Sequence, residues 1–337
     1  MRAILVKKFG PVASHDIEEV PDPVPGPGEV LVDIHTIGLN LPDSLMVQGK
    51  YQKRPEPPFV PGRDAAGVVA ATGPEVTRCR PGDRVLAQAF TGAFAERLVA
   101  PEQRCFVLAD AMDFADAAAL ITTFNTAYMA CVVRGNVQPG ETALVTGAAG
   151  GVGLVAVQLL KAKGARVLAA VSSPEKAELA LANGADGIVE TLADDLKASF
   201  RAQVARLTDA AEGRGVDLAI DVVGGDVFEA CLRVLKFAGR LVVVGFSSSD
   251  IPAAKTNYLL YNNLAVIGAP LDINFEKAPA NIEASVAKMQ ALYGQGKLNA
   301  NIMRLFPLEE FKEAFRVIES RTVRGKIVLT TGRNGAA

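Results

Sequence analysis

Residues 144–153, Leu-Val-Thr-Gly-Ala-Ala-Gly-Gly-Val-Gly, constrain this chain more than any other stretch. An apolar, β-prone run at 142–146 leads into the glycines. An apolar helical pattern at 154, 155, 157, 159 and 160 leads out and is closed by Gly164. Strand, glycine turn and helix together have the form of a phosphate-binding turn. Glycine permits tight positive-φ geometry and lets the backbone approach a pyrophosphate, whose charge meets the free N–H groups and positive dipole end of the helix. The spacing departs from Gly-x-Gly-x-x-Gly, and a ligand-free strand-to-helix turn has the same local pattern.

A chain of 337 residues exceeds one ordinary core and implies two domains. Half of its residues are hydrophobic, so burying two cores poses no difficulty. A net charge of −2, with no long basic block, argues against a nucleic-acid surface, which needs clustered Lys and Arg. The partner to expect is a small molecule. The opening Met-Arg-Ala-Ile-Leu-Val-Lys-Lys is too short an apolar run for a signal peptide, and no uninterrupted apolar stretch approaches membrane-spanning length. A soluble, cytoplasmic protein without membrane association is expected. Cys79, Cys105, Cys131 and Cys231 are scattered, so free thiols are expected. With His15 and His35 the two histidines, and neither near a second ligand in sequence, no metal site is expected.

Short β-rich runs at 3–6, 30–37, 66–71, 84–87 and 95–100 alternate with Gly and Pro turns, the texture of a mostly antiparallel barrel or sandwich. Pro21-Asp-Pro-Val-Pro-Gly-Pro-Gly28 reads as a stiff connection between two strands, and Pro81-Gly-Asp83 as a tight turn. From 113 the character changes to an Ala-rich helical stretch. Strands at 142–146, 166–171, 187–189, 217–222 and 240–245 then alternate with helices at 154–163, 174–183, 195–212 and 226–236. These strands are continuous apolar runs, as when helices cover both faces, and predict a doubly wound parallel sheet. A strand at 264–268, helices at 279–293 and 308–320 and a strand at 326–330 follow.

In such a sheet the end of the second strand meets the adenosine ribose, where an acid favours NAD and hydroxyls with a cation favour a 2′-phosphate. This chain has Ser172-Ser-Pro-Glu-Lys176 there, with no acid ending the strand. Ser173 and Lys176 can donate to a phosphate, so NADPH is the expected cofactor. Ser173 as N-cap with Pro174 at N1 would explain the first pair without a ligand, and the two readings are compatible.

The glycines also resemble the turn of short-chain dehydrogenases, and Tyr293-Gly-Gln-Gly-Lys297 supplies a Tyr-x-x-x-Lys. That pair must share one rigid helical turn, and each intervening glycine costs about 1 kcal/mol against alanine. A helix end with its glycine stop is the better reading.

Taken whole, the chain resembles the medium-chain dehydrogenase/reductase superfamily, in particular its zinc-free quinone oxidoreductase branch. The resemblance rests on the order and spacing of Gly38-Leu-Asn-Leu-Pro-Asp43, Pro61-Gly-Arg-Asp-Ala-Ala-Gly67, Pro81-Gly-Asp-Arg-Val85, Ala148-Ala-Gly-Gly-Val-Gly153, Asp221-Val-Val-Gly-Gly225 and Gly325-Lys-Ile-Val-Leu329. It implies an α/β fold: a GroES-like β-barrel catalytic domain of residues 1–121 and 269–337, and a Rossmann NADP-binding domain of residues 122–268. The superfamily's zinc-dependent alcohol dehydrogenases carry a cysteine ligand at the position of Asn40 and Gly-His-Glu at that of Gly62-Arg63-Asp64. Asparagine and arginine cannot replace thiolate and imidazole.

The resemblance also implies site residues. Asn40, Tyr51 and Thr126 would lie beside the nicotinamide, and Gly150, Gly151, Val152 and Gly153 would hold the pyrophosphate. Ser173 and Lys176 would hold the 2′-phosphate, and Val223 and Gly224 the adenine side. Val244, Gly245 and Phe246 would approach from the next strand end, Ala269 would close over the nicotinamide, and Lys326 would form the far wall. Relatives often show a tyrosine at Glu190-Thr191 and a glycine near Pro270, so the adenine side and the substrate rim depart from the pattern.

The implied activity is hydride transfer from NADPH to a quinone or α,β-unsaturated carbonyl, with Tyr51 and Asn40 as the catalytic side chains. Tyr51 as a residue packed on the barrel and Asn40 as a turn-stabilising amide are the competing structural readings. Enoyl-thioester (enoyl-CoA) reduction and a non-catalytic NADPH-binding sensor are the alternatives. By analogy a homodimer would form through the strand at 264–268.

Overall fold

The computed structural model describes residues 1–210, 214–320 and 322–333. Two compact units emerge, one of Met1–Thr122 with Ala300–Ala337 and one of Thr123–Asn299.

The first unit is organised by the strand Glu29–Leu39, which pairs antiparallel with Asp64–Thr72, Arg97–Pro101 and Lys326–Thr330. Val30, Val32 and Ile34 alternate onto one face and are fully buried. Register shifts at Leu31/Val32 and Ile34/Thr36 mark bulges in its pairing with Asp64–Thr72, the first in that partner and the second in Glu29–Leu39 itself. Arg84–Gln88 and Cys105–Val107 extend the sheet on one side, and Ile302–Pro307 runs parallel to Lys326–Thr330 on the other. Phe94 and Phe315 meet edge-on at 5.6 Å in the core beneath. Residues 20–28 join the strands Asp16–Glu19 and Glu29–Leu39 without regular structure, as the proline spacing requires.

The second unit contains six parallel strands in the order Gly187–Glu190, Arg166–Val171, Thr142–Thr146, Val216–Asp221, Leu235–Val243, Ala265–Gly268. The chain winds outward from Thr142–Thr146 in one direction, then returns to Val216–Asp221 and winds in the other. The order therefore reverses between those two central strands, and ligands of such sheets bind outside the carboxyl ends at that reversal. Leu144, Leu168, Ala219 and Leu241 form the buried centre, with Phe200 and Phe228 from the flanking helices.

The structure corrects the expected domain limits. Residues 269–299 belong with the nucleotide-type unit and not with the barrel. Helix Pro279–Gly294 buries Ile282, Val286, Met289 and Leu292, spaced for one helical face, and packs against the π-helical turn Met129–Arg134. Gln158 then holds Asn299 from both sides, Nε2 donating to its carbonyl at 3.1 Å and Oε1 accepting its N–H at 2.7 Å. These are contacts between distant parts of the chain that local periodicity does not carry.

Element limits shift as well. The helix expected at 154–163 is Gly151–Ala162, so the turn's last glycines already belong to it. The helix expected at 195–212 is Leu196–Thr208; positions 211 and 212 lie outside the described residues. Asp16–Glu19, Cys105–Val107, Thr256–Asn262, Asp272–Lys277 and Ile302–Pro307 were not anticipated; they are short and weakly patterned. Helix Pro279–Gly294 ends at its glycine and Gly296 takes φ +67°, so Tyr293 and Lys297 do not share a helical turn. Phe114–Arg134 is long and apolar enough to cross a membrane by composition, yet 67% of its apolar window is buried inside the protein, as in a core helix.

Candidate cofactor and active site

In the second unit the expected cofactor residues follow the carboxyl ends of five parallel strands. Gly150, Gly151, Val152 and Gly153 follow Thr142–Thr146, and Ser173 and Lys176 follow Arg166–Val171. Val223 and Gly224 follow Val216–Asp221, Val244, Gly245 and Phe246 follow Leu235–Val243, and Ala269 follows Ala265–Gly268. Parallel register places all five ends on one edge of the sheet. Thr126 lies half-buried in the last turns of helix Phe114–Tyr128, which fall within this unit.

The glycine turn fits a pyrophosphate. Gly147 has φ +57°, and a Cβ on Gly153 would stand 2.2 Å from the Gly147 carbonyl oxygen, so helix and strand approach as closely as backbones can. Gly150 is the N-cap of Gly151–Ala162, whose first-turn N–H groups have no intrahelical acceptor. Gly150, Gly151 and Val152 are half-buried and remain reachable. Behind them Asp221, fully buried, accepts the Thr146 hydroxyl at 2.7 Å and the Val223 and Gly224 N–H groups at 3.0 and 3.2 Å. Burial pushes its carboxyl above the usual range.

Ser173 is the N-cap of Pro174–Ala182, its hydroxyl accepting the Lys176 N–H at 3.4 Å, and Lys176 Nζ donates to Ser172 Oγ at 3.1 Å. The hydrogen bonds show the cap reading of Ser173, and the Lys176 ammonium lies at the same helix start.

In the first unit Asn40 and Lys326 come together, though not in the simple way expected. Asn40 precedes helix Leu41–Val47, and its backbone N–H donates to Asp43 Oδ2 at 2.8 Å. Its side chain serves that turn as well, Nδ2 donating to Gly38 O at 3.4 Å. Nδ2 donates to Asp64 Oδ2 at 2.8 Å and Oδ1 accepts from Lys326 Nζ at 2.7 Å. Asp64 Oδ1 also accepts from Thr122 Oγ1 at 2.7 Å and Gln88 Nε2 at 3.1 Å. Asn40, Asp43, Asp64, Gln88 and Lys326 are all buried. Burial, reinforced by Asp64, pushes the Asp43 carboxyl up to about 7, and burial pushes the Lys326 ammonium below its usual range.

Asp43, Asp64, Gln88 and Thr122 escaped the sequence reading as site residues. The first two sat inside quoted motifs, where a buried carboxylate pair could have been suspected. Gln88 and Thr122 had no local signal. Tyr51 is half-buried against the barrel core and takes a long contact from Arg63 Nη1 to its hydroxyl at 3.5 Å. Among the described residues no three His, Cys, Asp or Glu side chains converge to hold a metal ion. The four cysteines are free and buried; burial pushes the Cys105 thiol up to about 12.

Doubly wound sheet, pyrophosphate-fitting turn and antiparallel unit together define a two-unit pyridine-nucleotide dehydrogenase fold. Residues 26–110 match the alcohol dehydrogenase GroES-like domain and residues 151–282 the zinc-binding dehydrogenase domain. Mouse quinone oxidoreductase-like protein 2 is 37% identical over 319 residues, covering 93% of this chain and 88% of its own. The quinone oxidoreductase of Thermus thermophilus, solved also with NADPH, aligns at TM-score 0.82 and 34% identity over 98% of this chain and 100% of its own. The Escherichia coli quinone oxidoreductase complexed with NADPH aligns at TM-score 0.87 and 28% identity, over 98% and 100%. The chain belongs to the medium-chain dehydrogenase/reductase superfamily, in its quinone oxidoreductase-like branch.

Proposed function

We propose that this protein is an NADPH-dependent, zinc-independent reductase that transfers hydride to a quinone or an α,β-unsaturated carbonyl. The observation that carries the reading is the glycine turn at the sheet reversal, with Ser172, Ser173 and Lys176 at the next strand end. NADPH, when bound, supplies the hydride.

The chain's own groups do the rest. First-turn N–H groups of Gly151–Ala162 hold the pyrophosphate, and Ser173 and Lys176 the 2′-phosphate. Val223, Gly224, Val244, Gly245, Phe246 and Ala269 line the cofactor along the strand ends, with Thr126 toward the nicotinamide. Asn40 and Tyr51 are the catalytic side chains of this reading, Asn40 fixed by Lys326 and Tyr51 as the donor or oxyanion partner for an enone. A quinone needs no positioned acid, because hydride addition leaves a hydroquinone monoanion that water protonates. Asn40 and Arg63 at the ligand positions of zinc-dependent relatives support the zinc-free reading.

Loss of NADPH absorbance against a panel of quinones, enones and enoyl-thioesters tests this. Turnover of a quinone or enone is expected. Turnover of enoyl-thioesters alone would replace it with the thioester reductase, and binding without oxidation would make the protein a sensor. Metal analysis after dialysis should find no stoichiometric zinc; one equivalent retained would overturn the zinc-free chemistry.

A soluble, cytoplasmic homodimer is part of the same reading. Strand Ala265–Gly268 is the outer edge of its sheet, and nearby Phe237, Leu260 and Tyr261 are 78%, 85% and 90% exposed, apolar surface suited to a second copy. Sedimentation should give twice the 35.3 kDa chain mass; a monomer at working concentration would remove this element.

A further inference from the structure

Arg63 follows Gly62, whose backbone is left-handed at φ +91° and lies so close to the Phe94 ring that a Cβ would stand 2.3 Å from its Cδ1. The chain turns there, and Arg63 O accepts the Ala89 N–H at 2.9 Å. The side chain is carried into the first unit, where Arg63 is 4% exposed. Its guanidinium carbon stands 5.9 Å from the centroid of the Phe90 ring, whose face attracts a cation. Asp43 interacts with the same charge through space, and a buried cation needs such compensation.

From that position Arg63 Nη1 donates to the Tyr51 hydroxyl oxygen at 3.5 Å. A guanidinium has five N–H donors and no acceptor, so the phenol cannot give its proton to Arg63. The Tyr51 proton is turned away from the arginine. When that proton departs, the oxygen left behind lies beside a permanent positive charge, which favours the phenolate over the phenol in this half-buried setting. The neighbouring cations Lys50 and Arg54 turn to Gln48 Oε1 and to Gly49 O, and Lys53, 4.8 Å from the Phe90 ring, is exposed.

We propose that Arg63 is a positioning residue for proton delivery: it orients the Tyr51 hydroxyl and stabilises the negative charge that forms on its oxygen. This rests on the reading above that Tyr51 is the donor to an enone. Hydride adds to the β-carbon of the enone, the C=C pair moves toward the carbonyl oxygen, and NADPH is oxidised to NADP+. The Tyr51 O–H bond breaks, its electron pair stays on the phenolate, and the enolate takes the proton to become the saturated carbonyl compound. Water then returns a proton to Tyr51. A quinone takes its proton from water and does not need this pair.

Arg63→Met removes the charge and the donor together. Arg63→Gln keeps a neutral donor and makes the same test if Arg63→Met does not fold, and Arg63→Lys restores a charge. Ultraviolet difference titration of the protein without cofactor reads the pH at which Tyr51 becomes phenolate, with thermal stability measured alongside. Tyr51→Phe identifies its signal among the five tyrosines of the chain. Asp43, raised to about 7, is ionised before the phenol range near about 10 is reached and adds a constant background. Removing the charge should move Tyr51 ionisation to higher pH by about one pH unit or more, and Arg63→Lys should bring part of it back. The ratio of enone to quinone turnover should fall by about tenfold or more in Arg63→Met and in Tyr51→Phe. An ionisation that does not move in either charge-free variant would overturn the proposal, as would an unchanged ratio or losses that track stability alone. A wild type that oxidises NADPH with neither acceptor removes the reading above and leaves the titration to decide on Arg63.

Discussion

Thr146 Oγ1 donates to Asp221 Oδ1 at 2.7 Å, and the same oxygen accepts the Val222 N–H at 3.0 Å. One hydroxyl thus ties together the ends of the two central strands where the sheet order reverses. Thr146→Val keeps the shape and removes both bonds, leaving a buried carboxylate and a backbone N–H each short of a partner. The expected loss is about 1–3 kcal/mol of unfolding free energy, with weaker NADPH binding that Thr146→Ser restores. Urea denaturation and NADPH titration of both variants check it; equal stability of Thr146→Val and wild type would contradict it.

The glycines of the turn should not respond alike. A Cβ on Gly153 meets backbone at 2.2 Å from Gly147 O and 2.7 Å from Ala148 Cα, so Gly153→Ala must separate helix from strand and lower both melting temperature and NADPH affinity. A Cβ on Gly150 has its nearest neighbour at 3.4 Å, an ordinary contact, and its φ is −85°. Gly150→Ala should therefore melt like wild type while binding NADPH more weakly. Parallel losses in the two variants would place the pyrophosphate elsewhere.

Lys176 separates the two cofactors. Its ammonium already has Ser172 Oγ at 3.1 Å, so it is held at the strand end where a 2′-phosphate would lie. Lys176→Ala should weaken NADPH by about tenfold, the value of one charge-assisted hydrogen bond, and leave NADH nearly unchanged. Dissociation constants for both nucleotides decide, and equal effects would remove the 2′-phosphate assignment.

Asp43 should leave a signature in the pH dependence of stability. Its ordinary value is 3.8, and burial with the neighbouring Asp64 raises it to about 7. Between those values the folded protein keeps a proton that the unfolded chain has released, so stability falls as pH rises, by up to about 1.4 kcal/mol per unit, and levels off above about 7. Asp43→Asn is neutral throughout and should lack this slope. Unfolding free energies of both proteins over that window give the difference; parallel curves would mean that Asp43 is ionised in the fold.

The α/β class, the parallel strands and the nucleotide turn were legible because each is a local pattern. Continuous apolar runs mean strands covered on both faces, and glycines between strand and helix mean close backbone approach. The cap at Ser173 and the helix stop after Tyr293 were legible for the same reason. The allocation of residues 269–299 was not, since it depends on the buried face of Pro279–Gly294 and on the grip of Gln158 upon Asn299.

Asn40 and Lys326 could be named from motifs, but nothing in the sequence joins positions 286 apart into one hydrogen bond. Gln88, Thr122 and Asp64 have no shared local pattern either, yet they converge because antiparallel pairing brings Asp64 opposite Gln88 and because Thr122 lies in a helix packed beside them. Sequence by itself determined which residues could bind a dinucleotide, through local backbone geometry and burial periodicity. Tertiary structure alone decided how the polar groups of the first unit satisfy one another, because the cost of burying Lys326 and two carboxylates is offset only by partners that distant segments supply.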